Sequence, residues 1–519
     1  MEANRNSANL LYEQILYRSF RFFRFYRIPL FSAIIFGILA HGFAFTNKFI
    51  NHDEIYNLFG KGATVDSGRW ALGALDSIFP NYSMPWIYGI VTIALIAVAA
   101  CLIVHIFAIK NSALQALLAG IIVVFPVWTS TFAFMFTSSS YGVAFLMAVL
   151  SVFLLRQSKP LFQILALGCS IFSIAIYQAY IAIIAAMLVL ALVQDLLLEK
   201  AISDTLRKGL GYLCFLILTL GLYYAATQAI LILADVEFNQ YAHERNSFQI
   251  LQLPRNILSA YTHFFRALGT GEHALIPTLF SRWTHGICFA VCAVCFSVVC
   301  YVRKLDLPRI LFALALILIF PLAANCMYLF TSEAAMHTLV LCGFLSIYFP
   351  LILFADLCMD AIPANKAMNL MRKTALNLLL FSLTAIMICN VYFANEAYLQ
   401  LHLQYENTYA FYSSMLSDIR MHPEFDSDTE LAVIGRWDYP DYFFRKFQFT
   451  YQLFGHLSSA PTEYSMDRFL EYYIGFPMPF ASVEEKEEIQ NSEVFSQMPV
   501  YPYYGSIRMI DDTLVVKLS

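Results

Sequence analysis

Long apolar stretches parted by short polar connections fill most of the first 400 residues. They run over about 28–46, 85–109, 112–130, 139–155, 160–177, 179–197, 208–234, 284–302, 309–330, 337–357 and 374–394, which makes 11. Each approaches the length of helix that crosses about 30 Å of hydrocarbon, so each predicts a membrane span. The first run begins near Ile28 and no small-residue cleavage site follows it, as expected of a retained signal-anchor span rather than a cleaved signal peptide. Three polar segments remain: residues 47–84, about 235–283, and the tail 395–519. In the tail, LAVIG (431–435) and TLVVKL (513–518) read as strands and 396–420 as a helix. The pattern predicts an all-α polytopic membrane protein of about 11 transmembrane helices with a small C-terminal α+β domain.

Charge orients this scheme. With the N-terminus in the cytoplasm, Lys110, then Arg156 and Lys159, then Lys200, Arg207 and Lys208 fall on the inner side. Arg303, Lys304 and Arg309 follow, and Lys366, Arg372 and Lys373 close the series. Cytoplasmic connections carry the excess of Lys and Arg, and an even number of spans would break the alternation. Residues 1–27 carry Arg18, Arg21, Arg24 and Arg27 three apart among aromatics, which suits a basic amphipathic helix on an anionic inner leaflet or a plain positive flank. Segments 47–84 and 235–283 and the whole tail then lie outside. The tail has 19 acids against 8 Lys and Arg, which fits an exported domain.

Composition agrees. Of 519 residues, 60% are hydrophobic and 13% charged, with mean hydropathy +0.64, against about 25% charged in soluble domains. The net charge of −4 comes with no basic patch, so no nucleic acid partner is expected. All 11 cysteines lie in or beside apolar runs. Cys292 and Cys295 have a metal-like spacing, but their surroundings are a continuous apolar helix, where cysteine packs as a small hydrophobe.

The candidate chemistry concentrates in 47–84. Asp53 and Glu54 follow the first span closely, with His52 beside them, and Lys61, Asp66, Arg69 and Trp70 further on. A carboxylate here suits general-base work on a hydroxyl, and neighbouring acids split their protonation behaviour. The Arg69 guanidinium suits bidentate phosphate binding, and Trp70 offers a flat face for a sugar or prenyl chain. Two other readings stand beside this one: a solvated loop of paired charges, and a Mg or Mn site held by Asp53 and Glu54 with Asp66. The second outer segment adds His243, Glu244, Arg245, Arg255, Arg266, Glu272, His273 and Arg282, the last next to Trp283 at the mouth of a span. Outward arginines suit a phosphate-rich substrate or simple snorkelling. Trp70, Trp86, Trp128, Trp283 and Trp437 all fall at or beyond the outer face, consistent with sugar stacking or with a one-sided aromatic belt. Ionisable residues are scarce within the spans, with His41 and His105 the main exceptions, which argues against an ion-coupled transporter. Glu333 and His337 flank a short outer turn.

An acidic pair just after the first span, then Gly68-Arg69-Trp70, then Tyr177-Gln178-Ala179-Tyr180 at the junction of two spans, resembles the polytopic glucosyltransferases that modify bacterial O-antigen and cause serotype conversion. The resemblance is clearest over 28–200. It implies a GT-C-like membrane fold and lipopolysaccharide modification in the bacterial inner membrane. It also implies an undecaprenyl-phosphate hexose as donor, with glucose as the hexose, and a polysaccharide acceptor. Asp53 would be the general base, Glu54 its assistant or a cation ligand, Arg69 the ligand of the donor phosphate, and Tyr177 and Gln178 part of the pocket wall. Arg282 is the second phosphate candidate. Many relatives carry Asp-Asp where this chain has Asp53-Glu54, so the role of Glu54 departs from the pattern. The rival of another class is a flippase for a lipid-linked saccharide. A polymerase or ligase of the same glycan differs from the first reading in donor and acceptor.

Overall fold

Apolar helices long enough to cross a bilayer dominate the chain because each buries its backbone polar groups within itself, as hydrocarbon demands. A computed structural model describes residues 21–22, 24–60, 64–76, 78, 82–157, 159–239, 250–270, 278–331, 333, 336–361, 365–426, 428–437 and 461–519. The helices are α1 (Arg27–Thr46), α2 (His52–Tyr56), α3 (Trp70–Asp76), α4 (Pro85–Ile106), α5 (Ser112–Val124), α6 (Pro126–Ala133), α7 (Met135–Leu155), α8 (Pro160–Ile176), α9 (Ile181–Leu197) and α10 (Ile202–Ala234). Then come α11 (Leu253–Thr270), α12 (Leu279–Val302), α13 (Leu307–Ala324), α14 (Tyr348–Asp360) and α15 (Lys366–Arg420). The tail adds β1 (Glu430–Ile434), α16 (Glu463–Arg468), α17 (Val483–Gln490), α18 (Glu493–Gln497), β2 (Ile507–Ile510) and β3 (Thr513–Lys517).

Among the described residues, 10 helical segments are long and apolar enough to cross a membrane. The predicted span at 160–177 is α8, apolar but only 17 residues long, and it accounts for the difference from 11. The run 112–133 is one span in two pieces. Phe125 is extended (φ −64°, ψ 140°) before Pro126, which lacks the amide needed to continue the helix. The neighbouring pair divides at Tyr177 (φ −154°, ψ 116°), after which Gln178–Tyr180 forms a 3-10 turn.

Two expectations change. Residues 235–283 are not wholly loop: α11 buries Ala260, His263, Phe264 and Ala267 on one face and exposes Leu258, Phe265 and Arg266 on the other. Buried positions three and four apart mark an amphipathic helix. The predicted span 374–394 and helix 396–420 are a single helix of 55 residues, about 80 Å at 1.5 Å per residue. No Gly or Pro interrupts 366–420, so nothing in the chain ends the helix at the membrane surface.

The bundle packs α1 against α4, α5 and α15, α4 against α7, and α12 against α14 and α15. His41, deep in α1, is fully buried: Tyr398 Oη donates to Nδ1 at 2.7 Å and Nε2 donates to the Val123 carbonyl at 2.9 Å. It is a satisfied neutral imidazole tying three helices together. His105 likewise bonds the Tyr26 hydroxyl. Two buried acids escaped the sequence reading. Asp195 is paired with Lys200 (2.6 Å), Lys208 (2.7 Å) and Arg156 (3.8 Å), and Asp356 accepts from the Lys110 and Asn111 amides. Both sit at the end of the bundle opposite 47–84, where they neutralise the basic connections.

The tail folds as a three-stranded sheet of order β1-β3-β2, with β1 parallel and β2 antiparallel to β3. Two strands match the expected ones, and β2 is additional. The sheet's core is shared. Ile50 and Ile55 from the segment after α1 pack with Tyr412, Met415, Leu431, Met466, Phe469 and Leu514. The tail is therefore fastened to the bundle twice, by continuous α15 and by this apolar contact.

Candidate functional site

Asn51 starts α2. Its side chain accepts from the Glu54 amide at 2.8 Å, and its amide group reaches the Ala133 carbonyl, which fixes the cap against α6. Asp53 and Glu54 follow in the first turn, where the helix dipole favours acids. Consecutive helical positions point about 100° apart, and the two carboxylates separate accordingly.

Glu54 turns inward and is 1% exposed. Its carboxylate meets the Lys48 ammonium and the Ser83 hydroxyl, and the Phe136 amide donates to it at 3.3 Å. Lys48 also donates to Ser83 Oγ at 2.6 Å. Burial lowers the Lys48 pKa, and the facing carboxylate opposes that fall. With Ala44, Phe132, Met135 and Pro85 this pair lines a narrow cleft of about 170 Å³, mouth included. Burial, with the Glu54 charge nearby, pushes the Tyr473 hydroxyl pKa up.

Asp53 turns outward, and its side chain is 45% exposed. Tyr464 of α16 donates to Asp53 Oδ1 at 2.8 Å, and His52 Nε2 lies 3.8 Å from Oδ2. The tail thus supplies a direct hydrogen-bond partner to the acid expected to act as general base.

Residues 64–70 form a second group. The Gly68 amide bonds the Val65 carbonyl at 3.0 Å, and the Arg69 amide bonds that of Thr64 at 2.7 Å, closing a tight turn. Gly68 has φ +75°, and a Cβ there would lie 2.7 Å from the Tyr223 hydroxyl, so both conformation and space require glycine. Gln178 Nε2 donates to the Ser67 carbonyl (3.1 Å) and to Tyr223 Oη (2.9 Å), and Tyr223 donates to the Gly68 carbonyl (3.0 Å). Trp70 Nε1 donates to Thr227 Oγ1 at 3.2 Å. The Arg69 guanidinium lies 5.5 Å from the Tyr177 ring centroid, and Tyr177 stacks on Tyr141 at 4.7 Å. Asp66 is bonded through its carbonyl to the Asn239 amide at 2.9 Å, and Asn239 Nδ2 lies 3.4 Å from its carboxylate.

The structure therefore joins Arg69, Trp70, Tyr177 and Gln178 in one cluster and places Asp53 and Glu54 in another. Arg282 is exposed on the first turn of α12, a helix that packs on α14 and α15. Arg255 and Arg266 are exposed on α11. Lys61, His243, Glu244, Arg245, Glu272 and His273 lie outside the described residues. Trp128 is 1% exposed, edge-on to Phe145 inside the bundle, so it does not belong to an outer belt. Trp437 stacks on Phe411 at 4.5 Å, whereas Trp86 and Trp283 are exposed. Glu333 bonds His263 of α11 at 2.7 Å.

As cation ligands the acids fit poorly. Glu54 faces an ammonium, Asp53 points elsewhere, and Asp66 stands in the other cluster. Among the described residues no three His, Cys, Asp or Glu side chains gather.

Lys48, Ser83, Tyr223, Thr227, Asn239 and Tyr464 were missed from the sequence. Tyr223 carried a weak signal, as a hydroxyl in the middle of an apolar run. Tyr464, 411 positions from Asp53, carried none.

The family model described as Glucosyl transferase GtrII matches residues 42–349, more than half of the chain. The match includes both clusters and Arg282, and the residues after 349 lie beyond it. No curated protein matches the chain, and no solved structure does.

Proposed function

The chain belongs to the glucosyl transferase GtrII family, and from that premise we propose that it transfers glucose from a polyprenyl-phosphate carrier to O-antigen or a related surface glycan. It is a multi-pass membrane glycosyltransferase, and this membership sets the flippase reading aside. On our reading the donor is undecaprenyl-phosphate glucose in a bacterial inner membrane. The basic connections face the cytoplasm, and segment 47–84 and the tail face the periplasm. With α8 counted as a crossing, since Arg156 before it lies by Asp195 at one end of the bundle and Tyr177 after it lies by Arg69 at the other, the charge alternation supports this orientation.

The observation that carries the proposal is the contrast between two adjacent acids. Glu54 is committed to Lys48 and Ser83, while Asp53 stays half-exposed with one oxygen held by Tyr464. Asp53 is then the general base. The acceptor hydroxyl gives its proton to the Asp53 carboxylate as its oxygen attacks the anomeric carbon. The bond from that carbon to the phosphate oxygen breaks, and the electron pair leaves with the polyprenyl phosphate. A single displacement inverts the anomeric centre. Arg69 keeps its charge against Tyr177 and suits the leaving phosphate. Gln178, Trp70 and Asp66 hold the turn that presents it, and Arg282 is a second phosphate ligand on a separate helix. Glu54 holds α2 in place and takes no proton. No step passes through a metal ion.

Replacing Asp53 by Asn removes the base and keeps the shape. We expect glycan glucosylation to vanish in cells at unchanged protein level, read from the polysaccharide's sugar composition. Full glucosylation in that variant would refute the assignment.

A further inference from the structure

Resting on the reading above, we propose that Tyr56, Phe59, Tyr82, Tyr464 and Tyr472 form a stacking platform for the pyranose rings of the acceptor glycan. Three of these rings come from the segment after α1 and two from the tail. All five are exposed, between 44% and 56%. They are nonetheless fixed by edge-on contacts: Tyr56 to Tyr464 at 5.4 Å, Phe59 to Tyr82 at 5.8 Å, and Phe59 to Tyr472 at 4.8 Å, with interplanar angles of 68°, 84° and 75°. An edge-on contact covers at most one face of one partner, so each of these pairs keeps open faces, although Arg468 lies over one face of Tyr56. The two groups, Tyr56 with Tyr464 and Phe59 with Tyr82 and Tyr472, are linked along the chain, Tyr56 and Phe59 being three positions apart, and exposed apolar surface gathered in this way marks a site that something covers.

Three observations select a sugar chain as the occupant. The patch starts at the proposed base, because Tyr464 both packs on Tyr56 and donates to Asp53. Polar groups accompany the rings: four of the five carry hydroxyls, Arg468 lies over the Tyr56 ring at 5.0 Å from its centroid, and Glu471 adjoins Tyr472 in the chain. Apolar ring faces with donors and acceptors at their edges match the C–H faces and equatorial hydroxyls of pyranoses. The tail is acidic, with 19 acids against 8 Lys and Arg, so an anionic lipid surface is repelled and an uncharged glycan is not. A base that must meet one hydroxyl among many also needs the polymer held on either side of that hydroxyl.

The test uses the full-length protein in nanodiscs, without donor. The probe is the host's surface polysaccharide, freed of lipid by mild acid. The double change Phe59→Ala with Tyr472→Ala should weaken binding on the order of tenfold, the scale of lost aromatic contacts. Phe59→Trp should keep binding near native, as should Tyr503→Ala with Tyr504→Ala, which removes two exposed rings of the tail elsewhere. Native binding by the double variant would overturn the platform and leave the transferase reading intact. Quenching of the Phe59→Trp indole by brominated lipid would overturn it too, since the rings would then lie in the bilayer. A protein that binds the polysaccharide through these rings but transfers no glucose would keep the platform and remove the proposed function.

Discussion

The two halves of segment 47–84 are both polar and charged, yet they end in different company. Around Asp53 and Glu54 the chain touches the bundle through Ala133 and Phe136 and is also docked on the tail: Ile50 and Ile55 enter the sheet's core and Tyr464 reaches Asp53. Around Gly68, Arg69 and Trp70 it is docked on the bundle, held by Gln178 after α8 and by Tyr223 and Thr227 of α10. One short segment therefore couples the helical bundle to the tail. On the proposed reading the acceptor's base belongs to the tail side and the donor's phosphate ligand to the membrane side.

The contrast breaks most visibly at the buried ion pair. Glu54→Ala leaves the Lys48 ammonium in a desolvated cleft, at a cost of about 3–5 kcal/mol. We expect a large fall in the unfolding temperature of the detergent-purified protein. Pairing Lys48→Met with Glu54→Leu should recover much of it. If the double change is as unstable as the single one, the loss does not come from an orphaned charge.

Gly68→Ala probes the other half. A side chain at φ +75°, 2.7 Å from the Tyr223 hydroxyl, costs about 1–3 kcal/mol of strain. It should loosen the turn bearing Arg69, so the KM for the lipid-phosphate donor should rise while polysaccharide binding stays native. Equal losses of donor and acceptor binding would erase the distinction between the two halves. The smallest effect is expected at Trp70→Phe, which removes the bond to Thr227 and leaves the ring, for about 1 kcal/mol. Thermal unfolding should register a shift of a few degrees at most, with donor affinity little changed.

Much of the architecture was legible in the chain. Every apolar run became a helix or a helix pair, because length and hydropathy suffice where backbone groups find no water. The seams were legible where chemistry is local, as at Pro126 and Tyr177. The continuity of α15 was harder to see, because the change from apolar to mixed composition near 395 resembles a boundary while the backbone has no reason to stop. α11 was missed because its apolar face is short and its polar face reads as loop.

By itself the sequence determined a helical membrane protein, a segment after α1 rich in acids and bases, and the residue types suited to a phosphate and a hydroxyl. Only the tertiary structure decided what each of those residues does. Asp53 and Glu54 are adjacent and chemically alike, and the turn of one helical residue buries one against Lys48 and leaves the other open beside Tyr464. Burial and partner, which set a carboxylate's chemistry, are properties of what packs against it. Here those neighbours come from Lys48, Ser83, Phe136 and Tyr464, brought together by packing across the whole length of the chain.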